Sequence, residues 1–321
     1  MSIFFAQKYC FQTLKCYELK GFIINIKYER DSQTNYTANC IMTVRKHIPR
    51  EPLQTYVESI LYLEGNNIGA GLPKTNMSLV FNLGESFKLF ADHTFTSFTD
   101  YKKYWVAGLQ VQPRFVESYG QSSMIVVQFR TIGAFMLLGE ALHYFTNEYI
   151  PLDAVFCPRD AEETWLQLQE TSSIEVKFLL TENFLLRKLL AAQMPHQDLL
   201  QSINTFLQKP SNAPIEAICS EYDISRKHLN HLFKEYVGVS PKLLASLHRL
   251  QHILRTMSAA KPYKLTEVAY NWEYFDQAHF NNDFKRFTGV TPTEYVKLVQ
   301  TIPSLRIIPH FIPKVASENV W

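Results

Sequence analysis

Eleven side chains in the C-terminal third have the types and spacing to meet base edges and phosphates. Lys227, Asn230, His231 and Lys234 recur on one outward helical face, with Arg226 beside it. Ala278, Asn281, Asn282 and Lys285 recur the same way, with Gln277 and Arg286 nearby. An amide pairs bidentately with adenine in a major groove, and Lys or Arg donates to guanine or holds phosphate. The backbone N–H groups at a helix start also suit phosphate. This chemistry is non-covalent and needs its donors held on stiff elements.

Those elements form an internal repeat. Ile215–Leu244 and Leu265–Tyr295 each read as a short helix, a tight turn, a second helix and a Gly-Val-Ser/Thr-Pro step. Ser225 and Asp276, 51 residues apart, are N-cap types whose oxygens accept from orphan backbone N–H groups. Leu229, Leu232, Phe233 and Tyr236 form one apolar stripe, and Phe280, Phe284 and Phe287 repeat it. Gly238 and Gly289 suit the positive φ past a helix end. Pro241 and Pro292 follow the caps Ser240 and Thr291. One polar face alone is most often just solvated. Two faces with matched caps, stripes and breaks argue for a shared task. Pro241–Ser258 is expected to be a connecting helix that sets the two faces about 34 Å apart, one DNA turn.

The pattern resembles the AraC/XylS family of bacterial transcription regulators. The residues that carry it are Ile218-Cys219, Ser225–Phe233, Gly238 to Pro241, Arg249-Leu250, Val268-Ala269, Phe280, Phe284-Lys285, Gly289 and Thr291-Pro292. The resemblance implies sequence-specific binding to double-stranded DNA and transcription control, usually activation; the expected mechanism is that a dimer contacts RNA polymerase or excludes it. The sequence also departs from it. The turn glycine of each copy is Asp223 or Glu273, and Asp283 replaces a stripe residue. Residues 195–300 carry twelve basic and ten acidic side chains with six histidines, so steep salt dependence and reliance on a homodimer are expected.

Ahead of the repeat, Ser78–Phe90, Tyr104–Gln110 and Ser122–Arg130 have strand-like composition, and Phe135–Phe145 reads as helix. The expected fold is α+β, an antiparallel sheet or barrel-like domain followed by an all-α domain with two helix-turn-helix motifs. Pro49–Gly65, Leu79–Phe87, Trp105–Gln110 and Val127–Gly139 resemble, more weakly, the sensor-like domain of such regulators. That resemblance implies a small-molecule effector or dimerisation there. Trp105, Phe129 and Tyr104 are candidate pocket residues, set against the commoner role of strand aromatics as core. The leucines of 160–192 are read either as a dimer face or as internal packing. The expected limits are 1–45 as a leader before Met42 or a short extension, 46–158 as sensor-like domain and 159–194 as helical spacer. Residues 195–300 then form the DNA-binding domain and 301–321 a loose tail, in which Ile307, Ile308, Phe311 and Ile312 have the apolarity to dock.

Composition sets the outer bounds. The chain has 321 residues, 46% hydrophobic and 19% charged, with a net charge of +2. That is globular, and a basic patch, not bulk charge, must do any nucleic-acid binding. No apolar run reaches membrane-spanning length, and the first ten residues do not read as a secretory signal. Five cysteines without a CxxC fit a reducing, cytoplasmic setting. Nucleotide-binding and hydrolase motifs are lacking, so no enzyme, catalytic residue, metal or cofactor is expected. His47, His93 and His143 lack a metal-ligand spacing. Two rival readings remain: a metal-dependent, cupin-like enzyme with helical accessories, and an interaction module that has lost DNA binding.

Overall fold

The computed structural model describes residues 23–26, 42–118, 122–192, 203, 205–207, 215–259, 265–272, 274, 276–302, 305 and 309–314. Twelve strands among them run β1 (Ile23–Ile26), β2 (Met42–His47), β3 (Val57–Gly65), β4 (Asn67–Gly71), β5 (Ser78–Asn82), β6 (Phe87–Phe90), β7 (Phe98–Tyr101), β8 (Tyr104–Ala107), β9 (Arg114–Ser118), β10 (Ser123–Phe129), β11 (Tyr149–Pro151) and β12 (Phe311–Pro313). They form two antiparallel sheets, ordered β1-β2-β3-β10-β5-β8-β11 and β12-β4-β9-β6-β7. The sheets are open, and face each other through pairs such as Phe87 on Trp105, with ring centroids 5.2 Å apart.

Burial explains the strand sequences. In β10, Ile125, Val127 and Phe129 are buried at a period of two. β5 lies between β10 and β8 and buries Leu79, Val80, Phe81 and Asn82, hence its unbroken apolar run. The Leu83-Gly84 break sends β5 and β6 into different sheets.

The spacer folds as two helices, α2 (Pro158–Glu170) and α3 (Ile174–Ala191), after the short α1 (Gly133–Leu138). Ser173 caps α3 by accepting from Val176 N–H at 3.3 Å. α3 covers the larger sheet, with Phe184 edge-on to Phe81 at 5.6 Å. Its buried Glu182 accepts from His47 Nε2 (2.9 Å), Arg50 N–H (3.0 Å) and the Arg50 guanidinium (3.0 Å). The apolar residues of this region are not all internal. Leu168 and Leu185 are buried, whereas Val176, Leu179 and Leu190 form an exposed stripe along α3.

The helical half runs α4 (Ile215–Glu221), α5 (Arg226–Tyr236), α6 (Pro241–Ser258), α7 (Leu265–Asn271), α8 (Gln277–Thr288) and α9 (Pro292–Thr301). The α+β expectation holds. The two halves meet at the end of α5. Tyr236 packs on Phe135 at 4.3 Å, and Thr146 Oγ1 donates to the Gly238 carbonyl at 2.7 Å. Gly238 has φ 95°, and a Cβ there would meet Met77 Cε, Leu142 O and Thr146 Oγ1 at 3.0–3.1 Å.

The tail differs from the loose segment expected. Phe311–Pro313 joins the smaller sheet as β12, with Phe311 opposite Gly71 and Ile312 opposite Ala70. Ile312 is fully buried there. Burial of Ile312 and flanking backbone bonds hold the strand there, Leu72 N–H to the His310 carbonyl and Lys314 N–H to the Ile68 carbonyl, both at 2.8 Å, with Pro313 at the end of the strand. Ile307, Ile308 and residues 1–22 lie outside the described residues.

Candidate nucleic-acid interface

α5 and α8 are built alike. Ser225 Oγ accepts from His228 N–H at 3.1 Å, and Asp276 Oδ1 accepts from His279 N–H at 2.7 Å. Leu229, Leu232, Phe233 and Tyr236 bury one side of α5, and Phe280, Phe284 and Phe287 bury that of α8. Ser240 caps α6 through Leu243 N–H at 3.3 Å. Thr291 and Glu294 form a reciprocal capping box on α9. Gly289 takes φ 79°.

The side chains left outside are those the sequence singles out. Arg226, Lys227, Asn230, His231 and Lys234 are all exposed on α5. Gln277, Ala278, Asn282, Lys285 and Arg286 are exposed on α8, and Asn281 is half-buried. His228 and His279 are also exposed, at matched places in the two copies. They lie beyond the set drawn from the sequence, although their identity across the 51-residue offset is a signal it contains.

The two faces differ in charge. On α5, Lys227 and Lys234 have no acidic partner among the described residues, while Arg226 pairs with Glu216. Asn230 donates its amide to the Arg226 carbonyl at 3.0 Å, and His231 lies 3.6 Å from Glu235. On α8, Arg286 pairs with Asp283 at 3.1 Å and lies over the Phe287 ring at 4.4 Å. Asp283 thus stands at the edge of the apolar stripe, held by Arg286 and with His279 at 3.9 Å. It draws positive charge off the α8 face, so α5 presents the stronger cationic surface.

The turn departures have local answers. Asp223 sits at φ 49°, a left-handed geometry that Asp tolerates better than most residues. Glu273 lies outside the described residues.

α6 holds the second copy through rings. His252 stacks on Trp272 at 4.7 Å, and the Arg249 guanidinium lies over Tyr274 at 5.3 Å. Burial, and then the Asp283 charge, push the Tyr274 hydroxyl up to about 12.

Between the sheets lies a cavity of about 190 Å³ lined by Val80, Phe87, Trp105, Arg114 and Tyr149. Trp105 Nε1 is buried with no hydrogen-bond partner among the described residues. Of the three aromatics proposed for a pocket, only Trp105 lines this one. Phe129 belongs to the core, and Tyr104 OH donates to Glu162 on α2 at 2.7 Å. Among the described residues no three His, Cys, Asp or Glu side chains are placed to share a metal ion. No helix among them is long and apolar enough to cross a membrane.

Comparison with known proteins agrees with this arrangement. Residues 218–298 match a helix-turn-helix domain family, and residues 45–151 match a domain of unknown function, DUF6597. A probable transcription factor, PqrA of Proteus vulgaris, is 24% identical over 98 residues, covering 30% of this chain and 80% of that protein. Among solved structures, ToxT of Vibrio cholerae aligns with a TM-score of 0.40 at 15% identity, over 74% of this chain and 96% of its own. The AraC-like transcriptional activator CuxR aligns at 0.30 and 13%, over 68% and 81%. The matched helix-turn-helix domain contains α5 and α8, both capped alike. Residues 218–298 thus carry a helix-turn-helix domain, and with the likeness to a probable transcription factor they mark the chain as a DNA-binding transcription regulator.

Proposed function

We propose that α5 and α8 enter two successive major grooves on one face of the duplex. The supporting observation is the pair of matched, exposed polar faces on helices capped alike. Arg226, Lys227, Asn230, His231 and Lys234 form the stronger reading face. Gln277, Ala278, Asn281, Asn282, Lys285 and Arg286 form the weaker one. The exposed apolar stripe of Val176, Leu179 and Leu190 favours a homodimer joined through α3. The sheet cavity, with its unpartnered indole N–H, favours a small-molecule effector in the N-terminal domain. On this reading the protein is a cytoplasmic activator that contacts RNA polymerase and performs no catalysis. Its working parts are 46–158 as sensor, 159–194 as spacer and 195–300 as DNA reader.

Selection of bound sequences from random duplexes by the full chain tests the reading. Two boxes about one helical turn apart are the expected result. A single box would limit base reading to one helix, and no enrichment at low salt would overturn the proposal.

A further inference from the structure

A second cavity, of about 410 Å³, lies where the two halves and the tail meet. Its charged and titratable lining comes from every part of the chain packed there. β3 gives Glu58, the segment after β4 gives Lys74, α6 gives His248, His252 and Arg255, and the tail gives His310. One carboxylate therefore faces a lysine, an arginine and three imidazoles. His248 Nε2 and His310 Nδ1 are buried with no hydrogen-bond partner among the described residues. Each buried, unpaired ring nitrogen is costly unless something fills the space beside it.

We propose that this cavity binds a small polyanion, a phosphate- or polycarboxylate-bearing metabolite, gripped by Lys74, His248, Arg255 and His310. The electrostatics of the lining favour it as well. Burial, then His252 and Arg255, push His248 down to about 4. Burial, then Lys74 and Arg255, push His310 down to about 3. Burial likewise lowers the Lys74 ammonium, against the pull of Glu58. An anion works against each of these tendencies, by placing negative charge beside the rings and the ammonium and accepting from them once protonated. The volume exceeds one phosphate group and suits a small metabolite.

The site is placed to act on DNA reading. His252 lines the cavity and stacks on Trp272, at the turn of the second helix-turn-helix. His310 ties in the tail, its carbonyl accepting from Leu72 N–H at 2.8 Å. A bound anion would clamp α6 to the larger sheet and fix α8 relative to α5. That consequence rests on the DNA-reading proposal, whereas anion binding itself does not and is measured without DNA.

The experiment uses the full chain, with inorganic phosphate and citrate as probes at constant ionic strength in chloride. A saturable rise in Tm at pH 6.5 is expected with at least one probe. The His248 and His310 ring titrations, followed by NMR, should move up by a unit or more. Lys74→Gln with Arg255→Gln should weaken binding tenfold or more, while Lys227→Ala on α5 leaves it unchanged. Tighter phosphate binding identifies a phosphorylated ligand, and tighter citrate binding a polycarboxylate. The proposal is overturned by no saturable response to either anion, by unmoved histidines, or by binding that survives in the Lys74/Arg255 variant. Loss in Lys227→Ala would place the anion at the recognition helix and also overturn it. The histidine readout in the unaltered protein keeps the test decisive if a variant folds poorly.

Discussion

Lys227 and His231 stand one turn apart on α5, exposed and aimed away from the core. If they read bases, replacing both with Ala should lower affinity for the selected site more than for random DNA. Each lost base contact is worth about 1–3 kcal/mol. Titrations on both duplexes check this, and equal loss on both would sink the base-reading role. Glu182 makes a different residue-scale prediction. Burial would raise its carboxyl, but bonds from His47 and Arg50 hold it below the ordinary range. Glu182→Gln should therefore cost about 1–3 kcal/mol in urea unfolding at pH 7, because the donors lose a charged acceptor. The caps, stripes and polar faces were legible because each depends on neighbours within one or two turns. The Asp283–Arg286 pair was half legible: Asp283 stood out as a departure, but its ion pair needed the helix geometry. Glu182, meeting residues some 130 positions away, could not be read at all.

At the scale of elements, turns and interfaces decide. Gly238 and Gly139 both take positive φ, 95° and 70°. A Cβ at Gly139 meets nothing within 4 Å, whereas one at Gly238 presses on Met77, Leu142 and Thr146. Gly139→Ala should cost about 1–2 kcal/mol, the left-handed penalty alone. Gly238→Ala should cost more and disturb the Thr146 bond between the halves. Thermal unfolding of the pair measures the difference, and equal losses would deny the interface its role. At Asp223, substitution by Val should cost about 1–2 kcal/mol, and by Gly almost nothing. The strands were legible in type but not in partner. Ser78–Phe90 reads as two strands with a break, yet nothing local says that they join different sheets. The docking of Phe311 and Ile312 was legible as apolarity, but its partner was not, because β12 is set by an open edge far away in sequence.

For the whole molecule, the cavity between the halves predicts a pH response. His248 and His310 are held neutral, near 4 and 3, in the folded state. In the unfolded chain they take up protons near 6.5. Their contribution is thus fully present above pH 6.5 and is lost as pH falls toward the folded values. Unfolding measured at pH 7 and pH 5 should show a loss of the order of 1 kcal/mol per histidine. Replacing both with Gln should flatten that slope, and an unchanged slope would assign the acid sensitivity elsewhere. The β12–β4 pairing has a kinetic consequence as well. Its partners stand about 240 positions apart along the chain, so this loop is expected to close late in folding. Until it closes, β4 offers a free edge and the tail a free strand of matching register. Two newly made chains that meet in this interval can exchange tails, each completing the other's sheet. Refolding at high concentration is therefore expected to yield strand-exchanged dimers, which size-exclusion chromatography of the refolded protein would detect.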